Sequence, residues 1–279
     1  MTVDELLIRA RGQLEKAPFR PPTREANLLL ANVLDWGEAG VLSRGERPVS
    51  KAATKRFRDL LNRRLAGEPI AYLLGEREFF GRSFAVDSRV LIPRPETEHL
   101  VEAAIESSLP PAPRILELGT GSGCLAVTLA CEIPRTRIVA TDVSIGALAA
   151  AAGNIRRHEV DGHVTLLAAD LITGIDLQVF DLVISNPPYV DPLDATGLSP
   201  EIVDFEPRRA VFAPGVGLSL ISRLIDGASR MASGAHMLFE IGAGQARAVE
   251  QLLASSSLEL FEIRPDLAGV ARVVIARRR

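Results

Sequence analysis

The chain has 279 residues, 47% of them hydrophobic, with a formal charge of −3, 5% aromatic residues and two cysteines. That length and apolar content support one substantial core with a smaller second one, and the mildly acidic balance disfavours a partner held chiefly through phosphates. Two cysteines without a secretion-type leader read as reduced thiols, and no apolar run approaches the roughly eighteen residues that span a membrane, so a cytoplasmic protein is expected.

Leu6, Leu7, Ala10 and Leu14 keep helical spacing, and after Pro21 and Pro22 the stretch 25–34 is strongly helical, with Thr23 as a candidate N-cap. Ser50 can cap a third helix whose apolar stripe is Ala53, Phe57, Leu60, Leu61 and Leu65. No β pattern appears before about Phe79, so residues 1–77 read as a small helical bundle; alternation over 78–92 suggests a β-hairpin linker, assigned to 78–93. In the domain 94–279, strands predicted at 114–118, 138–142, 164–167, 180–185 and 235–240 alternate with helices. That is the pattern of an α/β fold with a mostly parallel, doubly wound sheet that binds ligands at its strands' C-terminal ends. The last pair, 258–264 and 272–276, is joined too tightly for a crossover and must be antiparallel. Cys124 and Cys131, seven apart on a predicted helix, are expected on nearly one buried face. His99, His158, His163 and His236 lack ligand spacing and are expected to be exposed or in loops, with no metal site.

The residues with chemistry gather at the predicted strand ends. Residues 114–118 run directly into Gly119, Thr120, Gly121, Ser122 and Gly123, which open an apolar helix. A glycine loop in that position lets a cofactor approach the backbone closely. Its spacing matches neither the dinucleotide fingerprint nor a P-loop, so a phosphate cradle is not expected. Asp142 ends the next strand, where such folds place the carboxylate that accepts from ribose hydroxyls, and Asp170 follows the third as an acceptor for an adenine amino group. The fourth strand runs into Asn186, Pro187, Pro188 and Tyr189. Asn186 precedes a proline and is therefore extended, while Pro187 and Pro188 have fixed φ and no N–H. The Asn186 side-chain oxygen and the Pro187 carbonyl can then accept both hydrogens of an NH2 group, with the Tyr189 ring as an apolar wall. Singly, each acid reads as a solvated turn or cap and Asn-Pro as an ordinary loop start; in this order they make one coherent site.

In that combination the chain resembles the S-adenosylmethionine-dependent methyltransferases, and more narrowly the protein-(glutamine-N5) methyltransferases that modify bacterial peptide chain release factors. Further likeness lies in Gly67, Glu68 and Pro69, in Pro93, Arg94, Pro95, Glu96, Thr97 and Glu98, in Phe205, Glu206 and Pro207, in Glu240, Ile241 and Gly242, and in Asp266, Leu267, Ala268 and Gly269. The resemblance implies a methyltransferase-type sheet with an antiparallel last strand and S-adenosylmethionine as cofactor. It implies transfer of the methyl group to the amide nitrogen N5 of a glutamine flanked by glycines on an exposed loop of the factor. The acceptor residues would be Asn186, Pro187, Pro188 and Tyr189, with Asn186 also near the cofactor, and Leu171, where some members carry an aromatic, would pack on the adenine. The helical part would dock the release factor, and a monomer without direct nucleic-acid or membrane contact is expected. Val216 stands where the family usually has an aspartate before Gly-Leu, and Ala271 where it has an acid before the final Arg-Val-Val. Other enzymes with Asn-Pro-Pro-Tyr act on a ribosomal-protein glutamine, or on adenine N6 or guanine N2 of nucleic acid. The last class calls for a basic, aromatic-bearing surface that this composition does not advertise. The intact glycine loop and acceptor residues weigh against a non-catalytic scaffold carrying a helical binding module.

Overall fold

Thr2 closes a capping box with Glu5, each side chain accepting from the other's backbone N–H at 3.3 and 3.0 Å, and so starts α1 (Val3–Leu14). The helices α2 (Pro22–Leu34), α3 (Glu38–Leu42), α4 (Lys51–Leu65) and α5 (Ile70–Leu74) follow. They belong to the first of two units in the computed structural model, which describes residues 1–16 and 22–279; that unit comprises Met1–Glu76 together with Pro200–Phe205. Its core is built from Leu6, Leu7, Leu14, Leu29, Leu30, Phe57 and Leu61. Ser50 caps α4 as its position suggests, its Oγ accepting from the Ala53 N–H at 3.1 Å. Thr23 does not cap α2. The helix already begins at Pro22, whose fixed φ suits a first turn, so Thr23 lies inside it; Pro21 falls outside the described residues. The five-residue helices α3 and α5 are too short to show a periodicity in the sequence, and Gly75, at φ 77°, ends α5 in the left-handed conformation.

The second unit is Arg77–Ser199 with Glu206–Arg279. The chain passes through the hairpin strands β1 (Glu76–Phe79) and β2 (Arg82–Ala85), which are earlier and shorter than the 78–92 expected. Phe80 and Gly81 take φ 51° and 70°, the pair of left-handed residues that a two-residue hairpin turn needs, and residues 86–94 continue without a strand. After α6 (Glu98–Glu106) the sheet strands β3 (Arg114–Leu118), β4 (Arg137–Asp142), β5 (Val164–Ala168), β6 (Leu182–Ser185), β7 (His236–Glu240), β8 (Leu258–Pro265) and β9 (Ala271–Arg278) form one seven-stranded sheet in the order β5-β4-β3-β6-β7-β9-β8. Between them run α7 (Cys124–Glu132), α8 (Ile145–Arg157), α9 (Pro200–Phe205), α10 (Arg208–Val211), α11 (Ser219–Gly227) and α12 (Ala246–Ala254). Strands β3 to β7 pair in parallel, and β9 is antiparallel to both β7 and β8, slotted between them.

Alternation along the strands divides two cores. Ile115, Leu182 and Ile184 face α6, α7 and α8 through Leu100, Leu125, Leu129 and Ile155, whereas Leu116, Leu118 and Val183 face α11 and α12 through Ile221, Leu224, Val249 and Leu253. Helices thus cover both faces of a doubly wound sheet. Cys124 packs against the first core, but Cys131 is exposed rather than buried. It lies in the last turn of α7, where its neighbours Ala130 and Ile133 make the contacts with the first core. His99, inside α6, and His236, which begins β7, are both half-buried and neither is a loop residue.

Candidate active site

The parallel strands place their C-terminal ends along one edge, and chain order reverses beside β3, with β4 and β5 on one side and β6 and β7 on the other. A crevice at such a switch point is where open α/β sheets bind ligands. The glycine loop follows β3, Asp142 ends β4, Asp170 lies two residues past β5, and Asn186 follows β6 directly.

Gly119, Gly121 and Gly123 are all left-handed, with φ 76°, 55° and 80°. A Cβ at Gly119 or Gly121 would meet nothing within 4 Å, so the loop needs glycine there for its conformation and faces open space. Four of the five N–H groups from Gly119 to Gly123 are engaged internally. Those of Gly119 and Thr120 donate to the Thr141 carbonyl at 2.9 and 2.8 Å, that of Gly121 to Asp142 Oδ2 at 3.0 Å, and that of Gly123 to the Thr120 carbonyl at 2.8 Å. Phosphate cradles use free N–H groups, so this loop suits a ligand approaching without phosphate. Asp142 Oδ1 accepts from the Ser144 N–H at 2.8 Å, and each carboxylate oxygen keeps a further acceptor position for a ligand hydroxyl. Ser122 is buried, its carbonyl held by Asn154 Nδ2 at 2.8 Å. Beneath the loop, Glu117 is buried and accepts from Thr120 Oγ1 at 2.7 Å; burial chiefly, and Asp142 in addition, push its carboxyl up to about 7. Asp170 is exposed and paired with Arg223 at 2.9 Å, and Leu171, at φ 49°, leans on the second core.

On the other flank, Ser185 Oγ donates to the Leu118 carbonyl at 2.8 Å and ties the acceptor strand to the glycine-loop strand. Asn186 Nδ2 donates to Thr97 Oγ1 at 2.9 Å, Thr97 Oγ1 donates to Glu240 Oε2 at 2.6 Å, and the Tyr189 hydroxyl donates to Glu240 Oε1 at 3.0 Å. Burial, and then Glu240, raise the Tyr189 phenol and keep it a donor; burial also raises the Glu240 carboxyl, against the opposing hydrogen bonds of Thr97 and Tyr189 and the charge of Arg272. Among the described residues, neither Asn186 Oδ1 nor the Pro187 carbonyl receives a protein donor. Gln245 Nε2 holds the Tyr189 carbonyl at 3.0 Å and the Val216 carbonyl at 3.2 Å, and a Cβ at Gly217 would fall 1.9 Å from the Tyr189 oxygen. A cleft of about 530 Å³ opens here, lined by Tyr189, Leu198, Val216, Leu218, Gly242 and Gln245. Glu206, buried, accepts from Arg94 and from the Ile92 N–H, bracing the approach to Thr97. Thr97, Glu206 and Glu240 were not among the expected site residues, although they stand in the runs that carried the family likeness.

Residues 5–75 match the PrmC N-terminal domain and residues 97–204 the Methyltransferase small domain. A release factor glutamine methyltransferase of Nitratidesulfovibrio vulgaris is 41% identical over 281 residues, covering 99% of this chain and 95% of that protein. The chain belongs to the release factor glutamine methyltransferase family. Its namesake in Bordetella pertussis is 42% identical over 255 residues, covering 90% and 93% of the two chains. A crystal structure of a methyltransferase from Pyrococcus furiosus shares the fold, with a TM-score of 0.52 and 17% identity over 79% of this chain and 98% of that one. The cofactor is S-adenosylmethionine, and an internally bonded glycine loop beside the Asp142 acceptor fits a ligand with ribose hydroxyls and no phosphate. Val216 takes φ 52°, which a β-branched residue adopts only under strain. No helix among the described residues is long and apolar enough to cross a membrane.

Proposed function

We propose that the protein transfers the methyl group of S-adenosylmethionine to the side-chain amide nitrogen N5 of the glutamine in the Gly-Gly-Gln loop of peptide chain release factors, in the cytoplasm. The reading rests on the two unengaged acceptors, Asn186 Oδ1 and the Pro187 carbonyl, held beside Tyr189 on the same sheet edge as the glycine loop. The names of the relatives support the substrate.

A primary amide offers two N–H donors and a weakly nucleophilic nitrogen, because its lone pair is delocalised into the carbonyl. Asn186 and Pro187 would each accept one hydrogen and aim the nitrogen. Those hydrogen bonds strengthen as the nitrogen gains positive charge, so they favour the transition state over the bound substrate. The Tyr189 ring and Pro188 exclude water from one side of the amide. When bound, S-adenosylmethionine supplies an activated methyl group on a sulfonium, so alignment is the principal task of the residues; alignment of this kind contributes about 7–11 kcal/mol. Gly119, Thr120, Gly121, Ser122, Gly123 and Asp142 would hold the cofactor, with Asp170 and Leu171 at its adenine.

Incubating purified release factor with the enzyme and methyl-labelled cofactor, then mapping peptides, is expected to place one label on that glutamine. Label on another residue, or on RNA and not the factor, overturns the reading. Asn186→Ala is expected to lower kcat by about 10²–10³ with cofactor Kd nearly unchanged; a wild-type rate removes Asn186 from the acceptor site.

A further inference from the structure

Asn186 presents an oxygen to the substrate only if its amide is not flipped, and the two ends of an amide have almost the same shape. We infer that Glu240 is a positioning residue for methyl transfer: acting through Thr97, its carboxylate dictates which end of the Asn186 amide faces the substrate. The inference rests on the acceptor role proposed above for Asn186.

Thr97 has a single hydroxyl hydrogen. With the Glu240 carboxyl ionised, that hydrogen is directed at Glu240 Oε2, 2.6 Å away, so toward Asn186 the Thr97 oxygen accepts, and the group it meets at 2.9 Å is Nδ2. Oδ1 is thereby left for an N–H of the substrate. In the opposite orientation the NH2 of Asn186 would face the NH2 of the glutamine with no acceptor between them. The same carboxylate takes the Tyr189 hydroxyl on Oε1 at 3.0 Å, so one group orients both the polar and the apolar wall of the site. Thr97 is 3% exposed and Glu240 fully buried, so water does not replace a missing partner. A glutamine at position 240 keeps the shape but has one accepting end. It must donate either to Tyr189 or to Thr97, and where it donates to Thr97 the Thr97 hydrogen turns to Asn186 and reverses the amide.

Glu240→Gln, Thr97→Val, Thr97→Ser and Asn186→Ala are compared in methylation of purified release factor at saturating cofactor, with cofactor Kd by calorimetry and Tm measured alongside. Glu240→Gln and Thr97→Val are expected to lower kcat about tenfold or more while cofactor Kd stays within about twofold, and Thr97→Ser, which keeps the hydroxyl, to retain kcat within about threefold. The double variant of Glu240→Gln with Thr97→Val should be about as slow as the slower single one, because both break one chain of bonds. A wild-type kcat in Glu240→Gln or in Thr97→Val, an equal loss in Thr97→Val and Thr97→Ser, or multiplicative losses in the double variant overturns the inference. If Glu240→Gln does not fold, the comparison of Thr97→Val with Thr97→Ser decides alone. A full rate in Asn186→Ala would bring down the acceptor reading itself, whereas a slow Asn186→Ala beside a full-rate Thr97→Val removes this inference and leaves that reading standing.

Discussion

Glu117 lies under the glycine loop with its carboxyl pushed from an ordinary 4.5 up to about 7 by burial. Between those two values the folded state binds a proton that the unfolded chain does not, so stability falls as pH rises from about 4.5 to about 7, and the full cost of the ionised group is present above that window. At about 1.36 kcal/mol per pH unit the cost reaches on the order of 3 kcal/mol. Glu117→Gln is therefore expected to flatten this part of the stability curve and to gain most over the parent at alkaline pH; urea unfolding at about pH 5 and about pH 8 checks it, and parallel curves contradict it. Asp142→Ala removes the acceptor proposed for ribose hydroxyls and should weaken cofactor binding by about 1.5–3 kcal/mol, one to two decades, with a smaller effect on transfer once the cofactor is saturating. An unchanged Kd in calorimetry would reduce Asp142 to a brace for the Gly121 and Ser144 N–H groups it already holds. The positions of Asp142 and Asn186 are legible in the sequence because the first ends, and the second follows, a recognisable strand. Thr97 and Glu240 were not marked as site residues: they lie 143 positions apart, and neither residue type announces chemistry until the fold joins them.

Among the elements, α9 shows how a buried charge organises a fold. Arg64 is 1% exposed; its guanidinium pairs bidentately with Glu25 at 2.9 Å, donates to the Glu68 carbonyl at 3.0 Å, and reaches Glu201 on α9. Removing one partner of a buried pair leaves an uncompensated charge, so Arg64→Met should cost about 3–5 kcal/mol in denaturant unfolding. Glu201, more exposed, should cost less when changed to alanine, but its loss should release α9 and speed proteolysis within residues 191–206. A cleavage rate equal to the parent's would show that other contacts hold α9. Nothing in the linear pattern assigned six residues after the acceptor motif to the helical unit, because pairing to a buried arginine leaves no periodicity to read. The same limit hid α3 and α5, which have under two turns each, whereas the apolar run of β3 matched its predicted span of 114–118 because a buried strand is legible from its own residues.

Across the whole molecule, the residues proposed to bind cofactor and acceptor all lie in the second unit, while the first is built of amphipathic helices with no comparable constellation. A truncated chain beginning at Arg77 is therefore expected to bind S-adenosylmethionine yet methylate intact release factor poorly, since a docking unit raises the local concentration of one loop at the site. Cofactor calorimetry and the KM for the factor separate the possibilities: full efficiency toward the factor removes the docking role, and lost cofactor binding means that the first unit supports the second. Hydrophobic alternation, proline stiffness and left-handed glycines act over a few neighbouring residues, so the doubly wound class and the places of the glycine loop, Asp142 and the Asn186 run can be read from the chain alone. The slot of β9 between β7 and β8, the capture of α9 by Arg64 and the direction of the hydrogen bonds from Asn186 through Thr97 to Glu240 emerge on folding. Strand order, buried charge pairing and hydrogen-bond polarity depend on which distant groups become neighbours, and that is settled when the chain closes on itself.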